Sequence, residues 1–325
     1  MVIDRLVIML HVWVLAASGL GGQETSTPQP RSVPTDELTG IATGYSGHFA
    51  CRQFAGAARE LAIAVSDLEP ASVAALLSSG ADIDARAVEP YAHGMTILQT
   101  AVVHEWGIEA IRLLLDSGAD VTLRDQRGDS VLTLACRNPL GADPTVLEEL
   151  IRAGAPVNGP GVDGMTPLMC AALCDENGQT IEALLKASAD VTARDRRGWT
   201  ALMHATRRRR EPRKIVEWLV RAGSPVNAKH AAGGTALSNA AFHGHTQSVQ
   251  FLISAGADVN SRDNANWTPL ICASINGHAG VARVLVDAGA RLNDADQLGR
   301  TALGLARARG NTAVEQVLIA AGASK

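Results

Sequence analysis

An all-α solenoid of about eight stacked helix pairs, with hairpin-like loops between them, is the fold this sequence predicts, and three observations predict it. A glycine recurs at Gly80, Gly118, Gly154, Gly223, Gly256, Gly289 and Gly322, with Ser188 replacing it once, and the last three steps are 33 residues each. A hydroxyl residue recurs in step, at Thr96, Ser130, Thr166, Thr200, Thr235, Thr268 and Thr301. A leucine stands two places after each of these, from Leu98 and Leu132 through Leu270 and Leu303. Correlated repetition at such a period marks a repeat array, in which each unit buries its apolar side against its neighbours.

The clearest module runs from Asp263 to Asn293. Thr268 suits an N-cap, where its hydroxyl accepts a backbone N–H that the first helical turn leaves unpaired, and Pro269 suits the next position, where no N–H is needed. Leu270 and Ala273 share one face of the helix so started, and Gly277 ends it. A second helix carries Val281, Val284 and Leu285 at amphipathic spacing, with Gly289 just past its end, where a left-handed backbone is wanted. From Ala290 the chain is polar and extended until the next turn residue, as a hairpin-like excursion requires.

Residues 166–171 read Thr-Pro-Leu-Met-Cys-Ala and residues 268–273 read Thr-Pro-Leu-Ile-Cys-Ala. On these motifs and the period, the chain resembles the ankyrin repeat family, over roughly residues 57–323. No copy has histidine at the family's usual place, and His204 lies one position later, which weakens the hydrogen bonding expected around the hairpins. The resemblance implies protein binding through the hairpin tips and the exposed groove of the first helices.

Taken in order, residues 1–22 read as an export signal: Leu6 to Ala17 form an apolar core, and Ala17-Ser18-Gly19 supply small residues for cleavage. Asp4 cancels Arg5, and the run is too short to span a bilayer comfortably. An exported, periplasmic or secreted protein is expected, or a cytoplasmic one if the segment is not a signal. Residues 23–57, rich in Thr, Ser, Pro and Gly, read as a flexible linker. The solenoid is expected over 58–325. Its first pair, 58–80, keeps Leu61, Ala64, Leu76 and Leu77 in register but lacks the cap threonine, as a terminal repeat with one side toward water can. Longer turns between paired helices fall at 139–143, 175–179 and 209–213.

With 46% hydrophobic and 3% aromatic residues and a formal net charge of -4, the chain suits close helix packing and has no general attraction for nucleic acid. The sequence holds no phosphate loop, nucleophile elbow or His-Glu-x-x-His helix, so no catalytic residue, cofactor or metal is expected. Asp258, Asp263 and His278 recur in register or stand at turns, where capping and turn hydrogen bonds account for them. An enzyme is conceivable only through the N-terminal pair His48 and Cys51. Cys170 and Cys272 read as small core residues, and a pairing of Cys136 with Cys170 or Cys174 is left open. Asn266-Trp267-Thr268 matches a glycosylation sequon, although Asn266 replaces a turn glycine and its tolerance of a left-handed backbone explains it equally.

Recognition is the expected function, and the partner is expected to be another protein. The variable position after the turn glycine holds Met165, Trp199 and Trp267 among others. The two tryptophans read either as binding anchors or as props for their own hairpins. Arg207 to Arg210 with Arg213 and Lys214 form the strongest charge run, read either as a site for an acidic partner or nucleic acid, or as a solvated turn balanced by Glu211. Arg207 and Arg208 sit at the end of a first helix, and Phe242, His243, Ile275 and Asn276 are their counterparts in later copies. The expected footprint runs from Arg207 past Phe242 to Ile275. Trp218, in a second helix, is expected in the core.

Overall fold

The computed structural model describes residues 50–88, 92–138, 143–175 and 178–324. Eight helix pairs follow one another. They are α1 (Gly56–Ser66) and α2 (Pro70–Ser78), α3 (Ile97–Val103) and α4 (Ile108–Asp116), α5 (Val131–Cys136) and α6 (Pro144–Arg152), and α7 (Pro167–Cys174) and α8 (Gln179–Lys186). Then come α9 (Ala201–Ala205) and α10 (Arg213–Arg221), α11 (Ala236–His243) and α12 (Thr246–Ser254), α13 (Pro269–Ile275) and α14 (Ala279–Asp287), and α15 (Ala302–Arg309) and α16 (Thr312–Ala320). The expected all-α solenoid is what forms. The export segment 1–22 and residues 23–49 of the linker lie outside the described residues.

Local chemistry sets each boundary. The hydroxyls of Thr96, Ser130, Thr166, Thr200, Thr235, Thr268 and Thr301 each accept the backbone N–H three residues on, so all seven act as N-caps. The second residue past each second helix is left-handed throughout, and Ser188 adopts φ 61° where the other repeats have glycine. Asn266 likewise takes φ 62°.

The repeats stack first helix on first helix from α3 to α15, and second on second from α4 to α8 and from α10 to α16. The stack changes between α8 and α10. There the half-buried Trp218 ring fills the space beside Gly178, where an added Cβ would come within 2.1 Å of Trp218 Cζ3. Gly178 also has φ 79°, so a larger residue is doubly excluded. The first pair stands out of register as well, with α1 packed on α4. Residues 50–55, which composition places with the linker, join this end: Cys51 and Phe54 are buried, and the Val88 N–H donates to the Gln53 carbonyl at 2.7 Å. Two apolar residues in a single turn leave no periodic trace.

Leu98, Leu132, Leu168, Leu202, Leu237, Leu270 and Leu303 line one continuous core, each at most 2% exposed. Burial of such a side chain contributes about 1.5–3 kcal/mol, and most of it is supplied by the neighbouring repeat.

Candidate functional site

The hairpins are built by carboxylates. Asp125, Asp195, Asp263 and Asp296 each use Oδ1 to accept backbone N–H groups two and four residues on, at 2.7–2.9 Å. Burial pushes Asp195 up, yet the His204 imidazole and the Trp199 amide more than offset this, and its carboxyl lies below the usual range. His230 replaces the carboxylate in the next repeat, with Nδ1 accepting the Ala232 N–H at 3.1 Å. Backbone bonds of 2.8–3.1 Å then tie one tip to the next: Arg196 to Asp163, Ala231 to Arg197, Asn264 to Ala232 and Gln297 to Ala265. Hairpin aspartates are therefore occupied with structure, as the turn reading expects.

The absent histidines are partly replaced. Gln99 occupies the family's histidine position, and its Nε2 donates to the Leu123 carbonyl at 3.0 Å in the next repeat. His204, one place later, brings Nε2 within 3.0 Å of Asp195 Oδ2.

The ends of the first helices form a second ladder. Arg208 Nη1 donates to the carbonyls of Ala172 (3.4 Å) and Asp175 (2.6 Å) in the preceding repeat. His245 Nε2 lies 2.8 Å from the Arg208 carbonyl and His278 Nε2 lies 3.0 Å from that of Phe242. Asn311 Nδ2 reaches the Ser274 carbonyl at 2.8 Å. Glu211, expected as a counter-charge within the arginine run, reaches forward instead and accepts the Gln247 and Ser248 N–H groups at 3.1 Å, at the start of α12.

The side chains this ladder leaves outward are the candidate site. Trp199 is half-buried, neither enclosed nor free: it stacks on His230 of the next repeat with ring centres 4.6 Å apart and planes 13° apart. The Arg207 guanidinium lies over the same ring, 4.9 Å from its centre. Phe242 is 41% exposed and meets the His243 ring edge-on at 5.3 Å. Burial holds His243 below the usual histidine range, and His245 and Arg207 push in the same direction. Asn276 Nδ2 donates to the Phe242 carbonyl at 3.2 Å, and Ile275 is half-buried beside it. Trp199, Arg207, Phe242, His243, Ile275 and Asn276 thus follow one another along the first-helix face. Met165 and Trp267 do not join them; each is half-buried at its own hairpin and packs on the core.

One member was missed. Leu173 stands seven residues after its cap, as do Arg207, Phe242 and Ile275, and it is 36% exposed. The register alone would have found it. At the far end of the same face a cavity of about 480 Å³ opens between Ile275, Arg300 and Arg307, where Gly304 has no side chain to fill the position that Gln99 holds in the first full copy.

The N-terminal Cys-His pair does not assemble as a nucleophile among the described residues. Burial raises the Cys51 thiol to about 12, which removes the thiolate a nucleophile needs, and its suggested companion His48 lies outside the described residues. None of the five cysteines forms a disulfide. Among the described residues no group of His, Cys, Asp and Glu could hold a metal ion, and no helix is long and apolar enough to cross a membrane.

A helical repeat protein offering one continuous face of first helices is the class that fold and site define. The family model described as ankyrin repeats (3 copies) matches residues 105–195, 132–230, 176–263, 209–296 and 237–325, and the chain belongs to the ankyrin repeat family. Over 162 residues, 49% of this chain, it is 28% identical to SH3 and multiple ankyrin repeat domains protein 2 of Homo sapiens, of which the match covers 8%. It is 36% identical over 109 residues to an ankyrin repeat-containing protein of Treponema pallidum (strain Nichols), covering 34% of this chain and 36% of that one. Ankyrin repeat domain-containing protein 63 of Homo sapiens is 37% identical over 103 residues, 30% of this chain and 26% of that protein. The chain therefore spans only a minor part of the length of these relatives. Ankyrin repeats generally mediate protein–protein interaction.

Proposed function

We propose that this chain is a non-enzymatic scaffold or regulator that holds a partner protein along its first-helix groove and hairpin tips. The observation that carries this reading is the run of side chains in register on one face, from the exposed Leu173, Arg207 and Phe242 to the half-buried Ile275. Large apolar and arginine side chains held by a rigid support are what interface anchors require. The ladder behind them, from Arg208 to Asn311, supplies that support.

Affinity capture with the full chain and with Trp199→Ala, Trp267→Ala and Arg207→Ala tests the reading. Partners lost from Trp199→Ala and Arg207→Ala fit the groove, and partners lost from Trp267→Ala extend it to that hairpin. Partners retained undiminished by all three remove it. The apolar core Leu6 to Ala17 supports an exported setting. Mass spectrometry of the mature N-terminus then finds a chain beginning after Ala17-Ser18-Gly19, whereas one beginning at Met1 contradicts export.

A further inference from the structure

We propose that the first-helix face takes an extended acidic segment of the partner, with one carboxylate on Arg207 and an apolar side chain three positions away on either side, against Leu173 and Phe242. The proposal rests on the protein-binding reading above and adds the partner's chemistry.

The charge of the chain is divided by helix. None of the seven first helices from α3 to α15 contains an aspartate or glutamate. The second helices carry Glu109, Glu148, Glu182, Glu217, Asp287 and Glu315. From α3 to α15 a chain of net charge -4 thus keeps its helical acids off the first-helix face, and an acidic ligand meets no helical carboxylate there.

Arg207 is a cation on that face with no ion-pair partner among the described residues. Arg137 occupies the equivalent place two repeats earlier and is matched by the buried Asp129 at 2.5 Å. Arg208, next in sequence, closes the end of α7. Arg207 is exposed, and among the described residues no carboxylate lies against its guanidinium, which rests on the Trp199 ring. Stacking of this kind holds the guanidinium plane while leaving its edge free for a bidentate carboxylate.

Spacing fixes the rest. Neighbouring packed helices lie about 8–10 Å apart, and a segment in the extended polyproline II form rises about 3.1 Å per residue with three residues per turn, so side chains three positions apart share one side and span one repeat. Leu173 and Phe242 lie one repeat to either side of Arg207 and are large apolar groups left 36% and 41% exposed. A nucleobase stacks on an aromatic ring, and the aliphatic Leu173 offers none, which is why an acidic protein segment is favoured over nucleic acid.

Fluorescence anisotropy on the full chain tests this, with a labelled nine-residue peptide carrying glutamate at its centre, leucine three positions to either side, and serine and glycine elsewhere. Binding is expected to weaken about tenfold when the central glutamate becomes glutamine, when the protein carries Arg207→Ala, and when it carries Phe242→Ser. Arg291→Ala, on the loop after α14, should leave it unchanged, and circular dichroism of each variant should match the parent. Equal binding of the glutamine peptide, no binding of the glutamate peptide, or undiminished binding to Arg207→Ala overturns the proposal. A single-stranded oligonucleotide of nine nucleotides that displaces the peptide at lower concentration overturns it in favour of nucleic acid. Each of these results leaves the capture experiment above free to succeed, so the two readings fail separately.

Discussion

Arg208 Nη1 lies 2.6 Å from the backbone carbonyl of Asp175, and this bond joins the turn of one repeat to the end of the first helix in the repeat before it. Its neighbour Arg207 has no such duty and rests on Trp199. Two consecutive arginines of one charge run therefore do different work.

Truncating them separates the two roles. Arg208→Ala removes a charge-assisted bond to a helix end and should cost about 1–3 kcal/mol of stability. Arg207→Ala, at an exposed position, should stay within about 0.5 kcal/mol of the parent. Urea unfolding of both variants measures this, and equal losses would mean that the ladder does not carry the load assigned to it.

Leu202 lies in the middle of the stack with none of its surface exposed. Leu202→Asp buries an unpaired carboxylate there, at a cost of about 3–5 kcal/mol, and should uncouple the two ends of the solenoid. Calorimetry should resolve two transitions or a much lowered one. A single transition at the parent midpoint contradicts the shared core.

Acid should loosen the stack. Burial is the leading cause that holds His104, His230, His243 and His245 below the usual histidine value of about 6.5. With folded values depressed, the unfolded chain takes up protons first. The histidine contribution is thus fully present above about pH 6.5 and is lost as pH falls through the folded values. Thermal melts from pH 7.5 downward should show the midpoint falling. His230→Asp installs the carboxylate that Asp195 and Asp263 provide in their hairpins and should lessen the fall; an unchanged pH profile in that variant contradicts the acceptor role of Nδ1.

The cysteines should be silent until the fold opens. Burial raises Cys51 and Cys272 to about 12 and Cys170 to about 11, and it raises Cys136 and Cys174 as well. Thiol labelling at neutral pH without reductant should be slow in the native protein and reach all five residues after unfolding. Fewer than five after unfolding would reveal a disulfide.

What could be read from the sequence was what depends on near neighbours. The cap role of Thr268, the left-handed Ser188 and the buried leucine column each follow from a few adjacent residues repeated in register. The ladder was harder, because the partner of Arg208 lies 33 positions away and Glu211 reaches forward to Ser248. Nothing in the run Arg207–Glu211 tells which residue turns back, which turns forward and which faces outward. Asn227 and Asn260 each accept the backbone N–H of the corresponding loop in the next repeat at 2.8 Å, and polar composition alone gives no sign of it. Trp199 was legible as an unusual residue at a hairpin, but its stacking on His230 belongs to the contact between repeats.

Partner capture with two oppositely placed charge changes tests the account most directly. Phe242→Glu alters the first-helix face and Glu182→Lys alters the second-helix side, both at exposed positions. The account predicts that the partner is lost from Phe242→Glu and kept by Glu182→Lys. A partner kept by the first and lost from the second would place binding on the opposite side and contradict it.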